Sequence, residues 1–280
     1  MHIVILVRRR LRVTFATAAD AMLQGLIRDS AVHLFGLASK LGIHRLPGFH
    51  RAFLTLYPIY KRHIEAGPID RLREFVPEGS LVIDVGANVG FFTLRFAEWV
   101  GSSGRVIAIE PEDRNYESLI AALTRAGVRD RVEALKAVAA AESGTTFLEI
   151  NPLHPADHKL SRDGAGLPVA AVTLDALVAD KGPSRPALVK IDVQGAEMLT
   201  LQGMTDILKH ADSALFVELS EQALAKFGTS VSAVLQLLAG HGYEPYWLTR
   251  AGHQKADRSE IDAKTAGPEY ADVLFLKDRR

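Results

Sequence analysis

The pattern of apolar and polar positions divides the chain near residue 68. Up to that point apolar residues recur at helical spacing, and the pair Gly67-Pro68 interrupts the pattern. After a short helix predicted over residues 69–75, short apolar runs alternate with helical stretches. The pattern therefore predicts a helical N-terminal extension over residues 1–68 and a second domain over residues 69–280.

The second domain has the periodicity of an α/β fold. We predict strands at residues 81–85, 106–109, 132–138, 145–150, 169–172, 188–193, 214–218, 243–248 and 271–276. We predict helices at residues 90–100, 113–126, 196–210 and 230–240. Continuous apolar strands between helices indicate a doubly wound, mostly parallel sheet covered on both faces. The last two strands follow each other with no predicted helix between them, which suggests an antiparallel C-terminal pair.

Composition adds a charge division and several exclusions. The 280 residues carry 33 basic and 33 acidic side chains, but residues 1–75 hold 12 basic and 5 acidic ones. The absence of cysteine excludes disulfides, thiolate zinc sites, iron–sulfur clusters and a cysteine nucleophile. No apolar run approaches the roughly 20 residues that span a bilayer. The basic Arg8, Arg9 and Arg10 follow the first apolar stretch, the reverse of a secretory signal. We therefore expect a soluble cytoplasmic protein.

A glycine-containing loop is the sharpest motif. Residues 82–90 read VIDVGANVG, after a predicted strand and at the start of a predicted helix. Gly86 allows a tight turn and close approach to a ligand, and Gly90 allows close helix–strand packing. The helix N-terminus offers free N–H groups to an anionic ligand group. A purely structural β–α turn is the alternative.

An acid at the end of the next predicted strand favours a ribosyl ligand. Glu110 lies 20 residues beyond Gly90, where a carboxylate can accept both ribose hydroxyls and repel a 2′-phosphate. Asp84 stands where dinucleotide-binding loops have their first glycine, and an acid there opposes a pyrophosphate but suits a cation. The pattern therefore favours S-adenosylmethionine (SAM) over NAD. No phosphate-binding G-x-x-x-x-G-K-[ST] motif occurs, which argues against ATP hydrolysis.

Six segments together resemble a known family. They are residues 82–90, 109–111 (IEP), 172–175 (VTLD), 189–197 (VKIDVQGAE), 216–218 (FVE) and 272–276 (DVLFL). Over roughly residues 70–280 the chain resembles the FkbM-type family of class I SAM-dependent methyltransferases, whose Rossmann-like fold has a seven-stranded sheet. Gln194 departs from the family pattern, where glutamate is expected. We expect this position to lie off the reacting atoms.

The resemblance implies a set of cofactor-binding residues. They are Asp84, Gly86, Ala87, Asn88, Gly90, Glu110, Pro111, Ala137, Val138, Asp192 and Gln194. Asp84, Gly86 and Asn88 would hold the methionine part of SAM, and Glu110 would hold the ribose. Ala137 and Val138 would flank the adenine. For Asp192 we favour an active-site position, and the alternative is a helix cap. Glu197 is equally a helix-dipole partner, and Lys190 suits an internal ion pair better than a functional role.

An alcohol acceptor requires removal of its proton, by His, Asp or Glu. The polar loop over residues 151–160 holds His154, Asp157 and His158, and its Asp-His pair is similar to one in the family's corresponding loop. We therefore take His158 as the first base candidate, followed by Glu218 and Asp192. A solvated polar loop is the alternative. Pro155 disfavours a helix that would present both histidines to a metal, so we expect no metal.

Elimination and resemblance point to a hydroxyl acceptor. The Asn/Asp-Pro-Pro-aromatic motif of amino-group methylation is missing after Val193. The missing cysteines exclude covalent pyrimidine C5 methylation and radical SAM chemistry. We expect an O-methyltransferase acting on a sugar, a glycolipid or a polyketide-like metabolite. The alternatives are an N-methyltransferase of RNA or of a small molecule, and a catalytically silent ligand-binding or scaffold module.

The basic extension leaves several partners open. It suits an interfacial helix on anionic lipid near a glycolipid acceptor, which would add peripheral membrane contact to a cytoplasmic protein. It equally suits a lid or dimerisation element in a homo-oligomer, nucleic-acid contact, or a helical cap with a solvated basic face. We do not expect nucleic acid to be a partner.

Overall fold

A computed structural model describes residues 66–149, 159–160, 166–179, 185–210 and 213–277. Nearly all of the N-terminal extension lies outside the described residues. The same holds for the loop that carries His154, Asp157 and His158. The predictions made for these segments, and the domain boundary at residue 68, therefore stay predictions.

The described residues contain twelve strands and nine α-helices. The strands are β1 Leu81–Val85, β2 Arg105–Ile109, β3 Val132–Leu135, β4 Ala137–Ala139, β5 Gly144–Glu149, β6 Lys159–Leu160, β7 Leu167–Val172, β8 Pro186–Ile191, β9 Ala214–Leu219, β10 Tyr243–Thr249, β11 Gly252–Lys255 and β12 Ala271–Lys277. The helices are α1 Ala66–Ile69, α2 Phe91–Trp99, α3 Asp113–Ala126, α4 Leu174–Ala179, α5 Glu197–Gln202, α6 Thr205–His210, α7 Glu221–Ala225, α8 Val231–Gly240 and α9 Arg258–Thr265. Short 3-10 helices cover Asp70–Phe75 and Arg129–Arg131.

The main sheet has the strand order β11-β10-β12-β9-β8-β1-β2-β3. Strands β3, β2, β1, β8 and β9 run parallel to one another. Strand β12 is antiparallel to both of its neighbours, β9 and β10. The expected α/β class, the mostly parallel sheet and the antiparallel C-terminal pair are therefore confirmed. The described sheet has eight strands rather than seven, because β11 adds a hairpin at the β10 edge.

The connection between the last two long strands was predicted wrongly. It contains both β11 and α9, where we expected no helix. The start of α9 is fixed by a capping box. The side chain of Asp257 accepts from the backbone amide of Glu260, and the side chain of Glu260 accepts from the backbone amide of Asp257. Strand β11 is four residues of mainly polar sequence, so its hydrophobic pattern gives no strand signal.

Two predicted elements are divided. The strand expected over residues 132–138 separates at the exposed Lys136 into β3 of the main sheet and β4 of a second sheet, ordered β4-β7-β5-β6. The helix expected over residues 196–210 separates into α5 and α6 at Gly203. A Cβ on Gly203 would lie 2.0 Å from the carbonyl oxygen of Ala140, so only glycine fits this close contact.

The core lies on both faces of the main sheet, as the buried strands predict. In β1, Ile83 and Val85 belong to the core cluster that α4 to α9 cover. Val82 belongs to the cluster that α1 to α3 cover. Because helices cover both faces of the sheet, polar functional residues are expected at the ends of the strands. In α/β folds, ligands bind at the carboxyl ends of the strands. Among the described helices, none is long and apolar enough to cross a membrane.

Candidate active site

Four candidate residues lie side by side at the carboxyl ends of neighbouring strands. The last residues matched in register between these parallel strands are Ile109 of β2, Val85 of β1, Ile191 of β8 and Val217 of β9. The residues that follow them are Glu110, Gly86, Asp192 and Glu218. Because each candidate is one position beyond a register-matched residue, the four share one level of the sheet edge.

Backbone hydrogen bonds fix the turn after β1 to both of its neighbours. The amides of Gly86 and Ala87 both donate to the carbonyl of Ile109, each at 3.0 Å, and the amide of Asp192 donates to the carbonyl of Val85 at 3.2 Å. Gly86 has φ +75°. A Cβ there would lie 1.9 Å from the carbonyl oxygen of Asp192. Glycine is therefore required for both the turn and the close approach of β8.

The second glycine of the loop also makes a close contact. Gly90 has φ +96° and immediately precedes α2. A Cβ there would lie 2.8 Å from Cδ1 of Leu119 on α3. The close packing that we predicted is therefore present, but its partner is a helix side chain and not a strand.

Glu110 is a buried carboxylate next to this turn, with 5% of its surface exposed. One oxygen accepts from the amide of Asn88 at 2.8 Å and the other from the amide of Glu112 at 3.0 Å. Asn88 presents its amide from a left-handed conformation with φ +50°, which asparagine tolerates. Burial raises the pKa of Glu110 to about 7, and this effect outweighs the two backbone hydrogen bonds that lower the pKa.

Asp84 is balanced by a cation from within the chain. Its side chain is fully buried and accepts a 2.6 Å hydrogen bond from the hydroxyl of Thr93. Nζ of Lys190 lies 3.5 Å from Oδ1 of Asp84 and 3.3 Å from Oδ2 of Asp192, and donates to the carbonyl of Gly86 at 2.8 Å. Lys190 is therefore an internal ion-pair partner, and it ties the ends of β1 and β8 together.

Gln194 connects the two carboxylates that we predicted as catalytic. Its Nε2 lies 3.3 Å from Oδ1 of Asp192 and 3.1 Å from Oε1 of Glu218. The residue that precedes α5 is Ala196, which makes no side-chain cap. The side chain of Asp192 contacts Lys190 and Gln194. Gln194 therefore belongs to the group of polar residues at the carboxyl ends of β8 and β9.

Glu197 holds the turn on which Gln194 lies. Its Oε1 accepts from the amides of Val193 at 3.3 Å and Gly195 at 3.0 Å. Its Oε2 is buried without a hydrogen bond. Burial raises the pKa of Glu197 to about 7, with the neighbouring charge of Asp192 acting in the same direction. Glu197 therefore shapes the loop between β8 and α5 as well as starting α5.

The remaining predicted cofactor residues are less informative. Ala87 is buried and Pro111 is half-buried after Glu110. Ala137 and Val138 are buried in β4, which begins two residues after the last residue of β3. Their proposed contact with adenine stays a prediction, as does the role of His158.

The described residues contain no group of three or more His, Asp or Glu side chains that could hold a metal. Because His154 and His158 lie outside those residues, the expectation of no metal is not tested.

Sequence reasoning underrated Lys190 and missed Thr93. A lysine between apolar residues in a predicted buried strand needs an acidic partner, since lysine is almost never fully buried unless paired. This signal was available in residues 188–193, but the sequence does not show that the partners are Asp84 and Asp192.

Two solved structures are among the proteins to which this chain is similar. The crystal structure of methyltransferase FkbM from Methylobacillus flagellatus KT matches with TM-score 0.46 and 16% identity, over 88% of this chain and 60% of that chain. The O-methyltransferase TomG from Streptomyces achromogenes, solved in complex with SAM, matches with TM-score 0.41 and 13% identity, over 77% and 81% of the two chains.

The hexuronic acid methyltransferase AglP from Haloferax volcanii is 30% identical over 146 residues, which are 52% of this chain. The match spans 58% of the length of AglP. The model of the methyltransferase FkbM domain family matches residues 84–245, which is more than half of the chain and contains the whole row of polar strand ends. The chain therefore belongs to the FkbM methyltransferase domain family.

Proposed function

We propose that this protein is a SAM-dependent O-methyltransferase that acts on a hydroxyl of a sugar, a glycolipid or a polyketide-like metabolite. The observation that carries the proposal is the geometry of Glu110 beside the Gly86 turn. Its two oxygens accept two backbone N–H groups and a hydrogen bond from the side chain of Asn115, so one of their four lone pairs is left to accept a ribose hydroxyl. Membership of a methyltransferase family supports methyl transfer as the reaction.

The charge of the site suits a cationic cofactor. Lys190 offsets only one of the two acids that it contacts, Asp84 and Asp192, and Glu110 adds a further acidic group. A pyrophosphate would meet uncompensated negative charge here, whereas a sulfonium with an ammonium group would be attracted. SAM supplies an activated methyl group. The residues that would hold it are those of the turn at 86–90, with Glu110 and Asp192.

The acceptor side requires orientation and a base. The acceptor's hydroxyl oxygen attacks the methyl carbon as the carbon–sulfur bond breaks, and its proton passes to a basic group. His158 is our first candidate for that group. Asp192 and Glu218, held together by Gln194, offer acceptor atoms that can orient further hydroxyls. Correct alignment contributes on the order of 7–11 kcal/mol to such reactions.

A sugar-bearing acceptor is our preferred substrate class. AglP is named a hexuronic acid methyltransferase, which supports a saccharide acceptor for a related chain. The polar groups at the ends of β8 and β9 also match an acceptor with several hydroxyls better than an apolar one.

The test is a methyl-transfer assay with methyl-labelled SAM and three acceptor pools in parallel: extracted glycolipids, soluble sugars, and RNA. We expect label in a sugar or glycolipid fraction, and we expect it to survive mild alkali as a methyl ether does. Label that enters only RNA would replace the proposal with the N-methyltransferase alternative. SAM binding without transfer to any pool would favour a silent ligand-binding module.

A further inference from the structure

Five side chains form a continuous polar chain between the ends of β1 and β9. In order of contact they are Asp84, Lys190, Asp192, Gln194 and Glu218. Three carboxylates alternate with two hydrogen-bond donors along this chain. Its Asp84 end lies beneath the proposed cofactor turn, and its Glu218 end lies two strands away.

We propose that Gln194 is a positioning residue, whose neutral amide clamps Asp192 and Glu218 in one orientation for the acceptor. The kinetic part of this proposal rests on the proposed function. The clamp itself is a property of the folded chain and is testable without turnover.

The amide group satisfies this arrangement in a way that a carboxylate does not. Nε2 carries two hydrogens, and its two partners are Oδ1 of Asp192 and Oε1 of Glu218, so each hydrogen has one acceptor. The two carboxylates also fix which way the side-chain amide of Gln194 is turned, because they would repel its Oε1 if that atom took the place of Nε2. A glutamate, the residue that the family pattern has at this position, would instead place three carboxylates in mutual contact, so it would need a proton to donate as the amide does.

The backbone holds Gln194 in this position. Its φ is +55°, an uncommon value for a residue other than glycine. Glu197 accepts from the amides on either side of it, those of Val193 and Gly195. A Cβ on Gly195 would lie 2.4 Å from the carbonyl oxygen of Ala223, so the turn also packs closely against α7. Contacts from α5 and α7 therefore hold the backbone from which the Gln194 side chain reaches its two partners.

The charged groups around the clamp are mainly acidic. Lys190 contacts Asp192 from β8, and Glu197 lies behind the turn with its charge coupled to Asp192. Asp272 on β12 is the register partner of Glu218. In this setting an added carboxylate is unfavourable unless it keeps a proton.

The experiment compares Gln194→Glu and Gln194→Met with a matched control, Gln202→Glu, which makes the same chemical change at an exposed position of α5. In the methyl-transfer assay we expect Gln194→Met to lower kcat about 10- to 100-fold, as misplaced reacting groups do. The Kd for SAM should change far less than kcat, because the Gly86 turn and Glu110 are not touched and, of the residues that would hold SAM, only Asp192 loses a contact. An equal loss of SAM affinity would overturn the assignment to the acceptor side.

The pH profile separates a clamp from simple packing. A protonated carboxyl can donate one hydrogen bond. Compared with the unaltered protein at the same pH, Gln194→Glu should therefore keep most of the activity near pH 5.5 and lose about 10- to 100-fold by pH 8. Gln202→Glu should follow the unaltered protein throughout. A Gln194→Glu profile that is parallel to the control would overturn the proposal.

Thermal unfolding gives a readout that is independent of catalysis. Between pH 5.5 and pH 8, the Tm of Gln194→Glu should fall by about 2–6 °C relative to Gln202→Glu, because the introduced carboxyl loses its proton among two others. A constant Tm difference would overturn the clamp. If the unaltered protein transfers no methyl group, the proposed function fails, and this Tm comparison still decides the clamp on its own.

Discussion

Nζ of Lys190 lies 3.5 Å from Oδ1 of Asp84, and both side chains are almost completely buried. The same ammonium contacts Asp192 and the carbonyl of Gly86, so it joins two strand ends at the point where the cofactor turn begins. A buried charge of this kind is costly to leave without its partner.

Replacement of Lys190 by methionine should therefore destabilise the fold by about 3–5 kcal/mol, because it leaves two neighbouring carboxylates without their cation. Urea denaturation measures this loss. The control is Lys209→Met, at an exposed position of α6, which should change stability by less than about 0.5 kcal/mol. Equal losses in the two variants would show that the ion pair contributes nothing beyond an average lysine.

SAM affinity should depend on pH through Glu110. The pKa of this carboxyl is raised to about 7, and ribose hydroxyls donate to its ionised form. The affinity should therefore fall as the pH drops from 8 to 6, by about tenfold. Calorimetry across this range measures it. Glu110→Gln should bind weakly with a much flatter pH dependence, whereas Glu98→Gln, at an exposed position of α2, should keep the original profile. A flat profile in the unaltered protein would contradict the role given to Glu110.

Gly86 should be far more sensitive to substitution than a glycine of similar backbone conformation. Gly86 and Gly127 have φ +75° and +69°, but a Cβ would meet the Asp192 carbonyl only at Gly86, and Gly127 has open space. Gly127→Ala should cost about 1 kcal/mol. Gly86→Ala should cost clearly more and weaken SAM binding about 100-fold or more, since the β1 and β8 ends must separate. Tm and calorimetry together measure both effects, and similar results for the two variants would be evidence against the close contact.

The pH dependence of stability should report on Glu197. The pKa is about 7 in the folded protein against an ordinary value of 4.5, so the folded state holds the proton more tightly. Its contribution to stability is complete below pH 4.5 and is lost as the pH rises to about 7. Glu197→Gln should remove this part of the pH dependence, on the order of 1–3 kcal/mol, in urea denaturation between pH 4.5 and 8. With Glu98→Gln as the control, a pH dependence that is unchanged in Glu197→Gln would contradict the assignment.

The base candidate requires its own comparison. His158→Ala should lower kcat about 100-fold or more and leave the Kd for SAM unchanged, because a general base acts only in the chemical step. His210→Ala, at an exposed position of α6, should leave both unchanged. If His158→Ala keeps full turnover, Glu218 becomes the next candidate.

Local patterns made half of this site predictable. The Gly86 turn, the start of α2 and the strand that ends before Glu110 are all visible in neighbouring residues, because turn chemistry and burial repeat over short distances. The family resemblance added the position of Asp192. All of these features lie at the ends of strands and helices whose bounds can be predicted from the sequence.

The contacts of Lys190 and Gln194 could not be predicted in the same way. They depend on the register of β8 against β1 and β9, and on a left-handed backbone at Gln194 that no neighbouring residue announces. The second sheet was missed for a related reason, since the paired residues of β4 and β7, such as Ala137 and Ala170, are 33 positions apart in the sequence. Likewise, glycine is required at position 203, after α5, because of the Ala140 carbonyl, which lies far from it in sequence.

Whether the turn at Gly86 and the carboxylate of Glu110 bind SAM is decided by calorimetric titration of the full chain with SAM and with its demethylated product, with NAD as the comparison ligand. We expect both sulfur compounds to bind more tightly than about 100 µM and Glu110→Ala to weaken their binding about tenfold or more, while NAD shows no binding. Affinities for both sulfur compounds no better than about 1 mM would contradict this expectation.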